Sequence, residues 1–399
     1  MRRILRILAA VAAAAAILAA VAAAGLVAVG PGVVERGRNA IAPGGPWPVS
    51  PEAQVLHDSL TIGDWHADTL LWNRPLLERG ARGHVDLPRL IEGNVALQVF
   101  TAVTKSPAGQ NYERNAADAF DTITPLAMAQ LWPPRTWGSL TERALYQADR
   151  LRRAARASDG RLRIIRDAAD LDALLAARAA GETAVGGLLG LEGAHALEGD
   201  LAALDRLVAT GYRLVGLTHF FDNAVGGSLH GQGDRGLTAL GRALVDEIAA
   251  RGLILDLAHA SPAVVEEVIA RTDMPLVVSH TGIRSHCETP RNLPDALMRR
   301  IVANGAAQGG GVVGIGYWAD VTCDASPSGV AAAIVAAIEV LGENHVSLGS
   351  DWDGSVTVGF DAAGLAALTH ALREAGLTEA QIRKVAGGNM LRVLRARLP

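Results

Sequence analysis

The hydrophobic positions of the chain form short, continuous apolar runs that alternate with longer segments of helical periodicity. Eight such runs are found: Leu60 to Trp65, Val95 to Val103, Val185 to Leu191, Arg213 to Thr218, Leu253 to Ala258, Leu276 to Ser279, Val312 to Tyr317 and Val346 to Gly349. Amphipathic segments such as Leu201 to Thr210 and Leu237 to Ala250 separate them. Continuous apolar strands separated by helices indicate a parallel sheet covered on both faces. Eight such units predict an α/β fold, a (β/α)8 barrel of the TIM type.

One connection departs from this pattern. Residues 116 to 166 are longer than a simple crossover needs, and they contain the stretch Trp132 to Trp137 with two tryptophans and two prolines. We interpret this connection as mainly helical, with a loop that overhangs the candidate site. At the other end of the chain, the periodicity of Leu377 to Leu394 predicts a terminal amphipathic helix.

The first 35 residues are apolar apart from arginines near the start. Arg2, Arg3 and Arg6 accompany an almost unbroken apolar run from Ile4 to about Val34. Because this run can span a bilayer and exceeds the apolar core of a cleaved signal peptide, it favours an uncleaved anchor over cleavage in the Ala-rich segment 21–24. Either alternative leaves the rest of the chain facing the periplasm or the exterior, anchored in one case and secreted in the other.

Composition divides the chain into three segments. Residues 36–56 are rich in Pro and Gly and have little apolar periodicity, which is typical of a linker. We therefore predict a hydrophobic signal-anchor or signal peptide at 1–35, a linker at 36–56 and the barrel domain at 57–399.

Charge and cysteine content narrow the functional classes. The chain of 399 residues has a formal net charge of −4 and no long basic run, which excludes a nucleic-acid footprint. Its two cysteines, Cys287 and Cys323, would lie in a compartment where disulfides persist. From the residues alone, a disulfide and two buried free thiols are equally compatible with this pair.

Residues with the chemistry of metal ligands follow six of the eight predicted strands. They are His66 and Asp68 after the first strand, Glu192 after the third, His219 after the fourth, His259 after the fifth, His280 after the sixth and Asp351 after the eighth. Taken singly, a buried histidine is usually hydrogen-bonded and a carboxylate after a strand usually caps a turn or pairs with a cation. His195 and His286 are near these positions in the sequence and are minor candidates.

The prediction of a metal site rests on the occurrence of all these residues together. Active sites of barrel enzymes are built at the carboxyl ends of the strands, so ordinary explanations for all six positions at once are improbable. Imidazoles and carboxylates in this number can hold two cations about 3.5 to 4 Å apart, with Glu192 as the bridge and a water activated between them. Zinc suits such mixed ligands best.

At this point the chain resembles a known family, the membrane or renal dipeptidases (peptidase M19) of the metal-dependent amidohydrolase barrels. The likeness runs from about residue 60 to 395. Its motifs are His66-Ala67-Asp68, Gly190-Leu191-Glu192-Gly193, Leu217-Thr218-His219, Asp256-Leu257-Ala258-His259, Ser279-His280, Arg291-Asn292, Gly349-Ser350-Asp351-Trp352-Asp353-Gly354 and Gly388-Asn389-Met390-Leu391.

The resemblance implies a zinc-dependent metallo-dipeptidase that cleaves dipeptides, including those with a C-terminal D-residue, by a hydroxide held between two zinc ions. It makes His66 and Asp68 ligands of one ion, His259 and His280 ligands of the other, and Glu192 the bridge. His219 would polarise the scissile carbonyl, Arg291 would bind the free carboxylate of the substrate, and Asp351 would move a proton from the water to the leaving amine.

The resemblance also bears on features outside the metal site. It implies that Cys287 and Cys323 pair, because they fall where the animal members are expected to carry a disulfide, and it leaves a homodimer as an open expectation. The lipid anchor of animal members is not expected, because the chain shows no apolar C-terminal tail.

Two alternatives remain at this stage. A related amidohydrolase reaction is one, such as that of a lactonase, a deaminase, a phosphotriesterase or an enzyme that opens β-lactam rings, since one barrel supports many chemistries. Such enzymes commonly begin with His-x-His, whereas this chain has His66-Ala67-Asp68, and many of them bridge the metals with a modified lysine rather than a glutamate. The other alternative is a membrane-tethered binding protein that has lost catalysis, and the intact ligand set argues against it.

Overall fold

The structure is a computed structural model that describes residues 2–399. Its parallel strands are β1 (Ile62–Ala67), β2 (Val95–Val103), β3 (Leu162–Ile164), β4 (Val185–Glu192), β5 (Tyr212–Gly216), β6 (Ile254–Asp256), β7 (Val277–Thr281), β8 (Val312–Ile315) and β9 (Val346–Leu348). The sheet order is β2-β1-β9-β8-β7-β6-β5-β4-β3, and β2 also pairs with β4. This pairing closes eight strands into a barrel, which confirms the predicted (β/α)8 fold.

Helices connect the strands, and most of the helices cover the outside of the barrel. They are α1 (Arg2–Arg38), α2 (Pro51–Asp58), α3 (Leu87–Glu92), α4 (Ile123–Ala129), α5 (Arg135–Gly138), α6 (Leu140–Ala157), α7 (Ala168–Ala179), α8 (Ala202–Thr210), α9 (Ala239–Ala250), α10 (Pro262–Arg271), α11 (Asp295–Ala303), α12 (Ala319–Thr322), α13 (Pro327–Leu341), α14 (Leu365–Glu374), α15 (Glu379–Arg383) and α16 (Asn389–Arg397). Strands buried between these helices and the barrel interior must be apolar on both faces, which explains the continuous runs in the sequence.

The connection over residues 116–166 contains three helices, α4 to α6, as its periodicity indicates, and it ends in a short strand that the periodicity did not reveal. β3 pairs with the first half of β4, where Leu162 lies opposite Val185. Because the second half of that β4 edge pairs with β5, β3 lies outside the closed ring of eight strands. Three residues are too few for a period-two pattern to be visible in the sequence.

The C-terminal helix is interrupted. Between α15 and α16, Lys384–Gly388 forms a π-helical turn. At Gly387 a Cβ atom would lie 2.0 Å from the carbonyl oxygen of Thr61, so only glycine allows the helix to approach the start of β1. The amphipathic periodicity of this segment therefore predicts a helix correctly but not its break.

The N-terminal helix α1 is a long apolar rod whose last turns contact the barrel. An 18-residue window of this helix has a mean hydropathy of 2.6 and is 0% buried, and its length and composition suffice to cross a membrane. Glu35, near its C-terminal end, is 1% exposed and lies 2.7 Å from Nε of Arg74. Beyond the helix, the amide of Ala42 donates to the carbonyl of Val358 at 2.7 Å, which joins this segment to the loop after β9.

Candidate metal centre

The carboxyl ends of the barrel strands bring the seven candidate residues together. β1 supplies His66 and is followed directly by Asp68, β4 ends on Glu192, and β7 contains His280. The remaining three side chains, on loops after β5, β6 and β9, are His219, His259 and Asp351. All of them are buried, and they form three overlapping groups whose ligand atoms lie within 4.8 Å of one another.

Glu192 occupies the centre of this cluster. Its Oε1 atom lies 3.3 Å from Nε2 of His259 and 3.4 Å from Nε2 of His66. The Nε2 atoms of His219 and His280 lie 3.5 and 3.6 Å from the same oxygen. Four imidazoles, from β1, β7 and the loops after β5 and β6, therefore converge on one carboxylate.

Two further carboxylates flank the cluster on the side of β1. Nε2 of His66 is 3.5 Å from Oδ1 of Asp68 and 3.8 Å from Oδ1 of Asp351. Burial and the charge of Glu192 raise the pKa of Asp68 to about 6. Burial, with the neighbouring carboxylates, raises the pKa of Asp351 well above its usual range. This crowding of carboxylates away from water is the electrostatic environment that a cation relieves.

The donor atoms fit a divalent metal. Nε2 of His66 and Oε2 of Glu192 are buried, and neither has a hydrogen-bond partner among residues 2–399. Buried polar atoms are nearly always paired, so two unpaired ones on neighbouring side chains, whose Nε2 and Oε1 atoms lie 3.4 Å apart, indicate a ligand there. Imidazole nitrogens with carboxylate oxygens are a donor set that zinc accepts well.

Ser279 contacts two of the histidines at Nδ1, the ring nitrogen that is not directed toward Glu192. The hydroxyl of Ser279 donates to Oδ2 of Asp256 at 2.6 Å, and Asp256 also accepts from the amide of Ser279 at 2.9 Å. The same hydroxyl oxygen lies 2.8 Å from Nδ1 of His280 and 3.2 Å from Nδ1 of His66. Because its single proton is used toward Asp256, it accepts from both histidines.

A second buried aspartate fixes the ends of β1 and β9. Asp64 accepts from the side-chain amide of Gln98 at 2.8 Å and from the amide of Ser350 at 2.8 Å. It also accepts from the amide of His66 at 3.1 Å. These bonds hold the loop that carries Asp351 against the strand that carries His66.

The backbone is strained at two of the site residues. His259 has a φ of 63° and Asp351 a φ of 59°, both in the left-handed region that residues with a Cβ seldom adopt. Such conformations persist only where the surroundings enforce them, and they concentrate at functional sites.

Arg291 lies beside the imidazole cluster and is almost fully buried. Its Nη2 donates to the carbonyl of His280 at 2.8 Å and lies 3.3 Å from Nε2 of His259. Its guanidinium is 5.8 Å from the ring centre of Trp318, whose indole donates to the hydroxyl of Tyr112 at 3.0 Å. Burial lowers the pKa of Arg291. Sequence reasoning found Arg291 only through the resemblance and missed Tyr112 and Trp318, since no periodicity marks a loop aromatic.

A cavity of about 370 Å³ opens above the cluster. Its lining includes Ile123 and Leu126 of α4, together with Leu71 and Trp72 from the segment after β1. The 116–166 connection therefore overhangs the site, as its length indicates, but through α4. Trp132 is 1% exposed and packs in the cluster of buried residues behind α4.

The minor candidates are not members of the three metal-binding groups. His195 is buried, and its ring centre is 4.9 Å from that of Phe221. Burial and His219 lower its pKa to about 3, so the ring is neutral. His286 is half-buried in the loop after β7. In the same loop, Cys287 forms a disulfide bond with Cys323 at the end of α12.

An eight-stranded barrel with a buried cluster of histidines and carboxylates at the carboxyl ends of its strands defines a metal-dependent hydrolase of the barrel type. The family model of the membrane dipeptidases, peptidase family M19, matches residues 51–397. The chain belongs to this family of metallo-dipeptidases.

Individual relatives agree with this assignment. The chain is 31% identical over 288 residues to an uncharacterised dipeptidase of Schizosaccharomyces pombe, a match that covers 69% of this chain and 62% of the relative. The chain thus spans under two thirds of that relative's length. Among solved structures, a metallopeptidase of Rhodobacter sphaeroides liganded with a phosphinate mimic of the dipeptide L-Ala-D-Ala is 27% identical, with a TM-score of 0.65 over 85% of this chain and 99% of that one. The family M19 dipeptidase AC is 28% identical, with a TM-score of 0.66 over the same shares.

Proposed function

We propose that the protein is a two-zinc dipeptidase that hydrolyses the peptide bond of dipeptides. The observation that carries the proposal is the convergence of four buried imidazoles on Oε1 of Glu192, at 3.3 to 3.6 Å, in a chain of the M19 family. The solved relative from Rhodobacter sphaeroides holds a mimic of L-Ala-D-Ala, which supports extending the substrate range to dipeptides with a C-terminal D-residue.

The proposed ligand assignment is the one that the family resemblance implies. Nε2 of His259 lies 3.0 Å from Nε2 of His280, which supports one shared ion for this pair. His66 and Asp68 would hold one zinc ion, His259 and His280 the other, and Glu192 would contact both. Two zinc ions, when bound, would lower the pKa of a water and polarise a carbonyl oxygen.

Three other residues have roles that match their surroundings. His219 is 3.5 Å from Oε1 of Glu192 and would hold the scissile carbonyl oxygen. The planar guanidinium of Arg291 would pair with the free carboxylate of the dipeptide. Asp351, whose Oδ1 lies 3.8 Å from Nε2 of His66, would take a proton from the attacking water and give it to the leaving amine.

The test is metal content and hydrolysis measured on one preparation of the full-length chain in detergent. We expect about two zinc ions per chain and cleavage of L,L and L,D dipeptides by the wild type. Glu192→Ala should lose metal and lower kcat/KM at least about 10³-fold, because it removes the atom on which the four imidazoles converge. Glu182→Ala is the matched control, since Glu182 precedes the opposite end of β4 and has an exposed side chain.

Other outcomes would contradict separate parts of the proposal. Bound zinc without cleavage of any dipeptide would contradict the dipeptidase activity and favour another amidohydrolase reaction or a binding protein. A wild-type chain that binds no metal would refute the metal centre itself.

The placement in the cell is part of the same proposal. The positive N-terminus and apolar α1 support an anchor in the membrane, with the barrel on the periplasmic or outer side. The division into a hydrophobic segment (1–35), a linker (36–56) and a hydrolase domain (57–399) stays a prediction, as does a homodimer.

A further inference from the structure

The last turns of α1 form part of the wall of the cavity above the metal centre. Gly30, Pro31, Val34 and Arg38 line the same cavity as Glu192. Their spacing places them on one face of the helix, since each residue turns the helix by about 100°. The helix that sequence analysis treats only as a membrane segment therefore contacts the space that a substrate would occupy.

Buried ion pairs hold this face in place. Glu35 accepts from Nε of Arg74 at 2.7 Å and also contacts Arg82. Arg74 reaches on to Asp353, whose Oδ2 accepts from the hydroxyl of Thr69 at 2.7 Å. Glu35, Arg74 and Asp353 are all buried, so the position of the helix end is fixed relative to the barrel.

The same contacts reach the loop that carries Asp351. Asp353 follows Asp351 by two residues, and its Oδ1 accepts from the amide of His84 at 2.7 Å. The side chain of Asn39, one residue beyond α1, accepts from the amide of Ser355 at 2.9 Å. The end of α1 and the loop after β9 are thus one connected unit.

The wall that α1 contributes is mainly apolar. The lining that Pro31 and Val34 share includes Ile123 and Leu126 of α4, together with Trp72. A cavity of about 370 Å³ lies in the size range of small-molecule sites, and apolar linings in such sites bind apolar groups.

We infer that Pro31 and Val34 of α1 are specificity-determining residues that bind a large apolar side chain of the substrate dipeptide. This inference rests on the proposed dipeptidase function and names the side-chain class that the function leaves open. It does not depend on whether the chain is cut in the segment 21–24, because both residues lie beyond it.

The test compares substitutions at two neighbouring valines in the full-length, metal-loaded chain. Val34 lines the cavity, whereas Val33 lies on the same turn, is exposed to a similar degree and does not line it. The substrates are dipeptides Ala-X and X-Ala, with X as Gly, Leu or Phe. In the wild type, kcat/KM for Leu or Phe at one position should exceed that for Gly by about tenfold or more, because burial of such a side chain is favourable.

Val34→Trp should raise KM for the Leu and Phe substrates about tenfold while the Gly substrates change less than about twofold, since the indole fills the space of the apolar side chain. Val34→Ala should lower the ratio of kcat/KM for the Leu and Phe substrates to that for the Gly substrates about threefold, because contact with the substrate side chain is lost. Val33→Trp should match the wild type. Melting temperature and zinc content, measured on each variant, should stay at the wild-type values.

The inference would be overturned if Val34→Trp and Val33→Trp had equal effects, or if Val34→Trp lowered kcat/KM equally for all substrates. A wild type that prefers the Gly substrates would overturn it as well. A wild type that cleaves none of the dipeptides would contradict the proposed function, and the inference would fall with it. The two failures are distinguishable because only the second affects the wild type with every substrate.

Discussion

Ser279 determines how two histidines present their nitrogens to the site. Its hydroxyl proton points to Asp256, so its oxygen accepts from Nδ1 of both His66 and His280. This arrangement fixes each ring with the proton on Nδ1 and leaves the lone pair of Nε2 directed toward Glu192. Hydrogen bonds of this kind orient metal-binding histidines and raise their basicity.

We predict that Ser279→Ala weakens zinc binding about 10- to 100-fold, as expected when a group that orients ligands is removed. The measurement is zinc affinity by competition with a chelator, which reports on the site without reference to turnover. Ser347→Ala is the matched control, because Ser347 is a buried serine of β9 whose hydroxyl has no hydrogen-bond partner among residues 2–399. Unchanged affinity in Ser279→Ala, or an equal loss in Ser347→Ala, would contradict this role.

Candidate metal ligands can be recognised in the sequence more readily than the residues that orient them. A histidine or carboxylate after an apolar run is visible by its chemistry, as at His259 and Asp351. The role of Ser279 depends on which strands become neighbours, because its partners His66 and Asp256 lie on β1 and β6. A serine in a strand carries no local signal of such contacts.

At the scale of elements, α4 depends on a polar anchor at its start. Asp121 accepts from the amide of Ile123 at 3.0 Å and from the hydroxyl of Thr124 at 2.7 Å. Nη1 of Arg143, a buried residue of α6, also donates to it at 2.6 Å. Burial alone would raise the pKa of Asp121, but the bonds from Arg143 and Thr124 outweigh it and leave the pKa below its usual value of 3.8.

We predict that Asp121→Asn lowers the free energy of unfolding by about 2 to 4 kcal/mol, because it leaves the buried guanidinium of Arg143 without its counter-ion. A group with a lowered folded-state pKa stabilises the fold above its unfolded pKa and loses this effect as pH falls through the folded value. The difference between wild type and variant should therefore be constant above about pH 5 and shrink below pH 4.

Denaturant unfolding at several pH values checks this. Asp118→Asn is the control, since Asp118 is exposed in the same segment. A difference that stays constant down to pH 3 would contradict the ion-pair explanation.

Hydrophobic periodicity predicts elements to the extent that packing repeats regularly. It placed all eight barrel strands within a few residues of their bounds, because each is buried on both faces. It could not separate α4, which lines the cavity, from the Trp132 stretch behind it, because both are apolar and only tertiary packing distinguishes them.

At the scale of the whole molecule, α1 combines two features: an apolar run that can span a membrane and last turns that line the cavity above the metal centre. Its 37 residues make a rod of about 55 Å, whereas the hydrocarbon core of a bilayer needs only about 20 residues. If the span occupies the uncharged run after Arg6, the turns from Gly30 to Arg38 emerge on the far side. Because Glu35 is buried against the barrel, the cavity then opens close to the membrane surface.

We predict that the full-length chain stays in the membrane fraction after washing with high salt or alkaline carbonate and is released by detergent, because the apolar run of α1 spans the bilayer. Exposed residues of this run allow a matched comparison. Val11→Arg with Ile17→Arg should release the chain, since each arginine near the centre of the span costs about 2.5 to 3.5 kcal/mol. Val55→Arg, at an exposed position outside α1, should leave it in the membrane. Recovery of the wild type in the soluble fraction, with a new N-terminus in the segment 21–24, would show that α1 is a cleaved signal peptide instead.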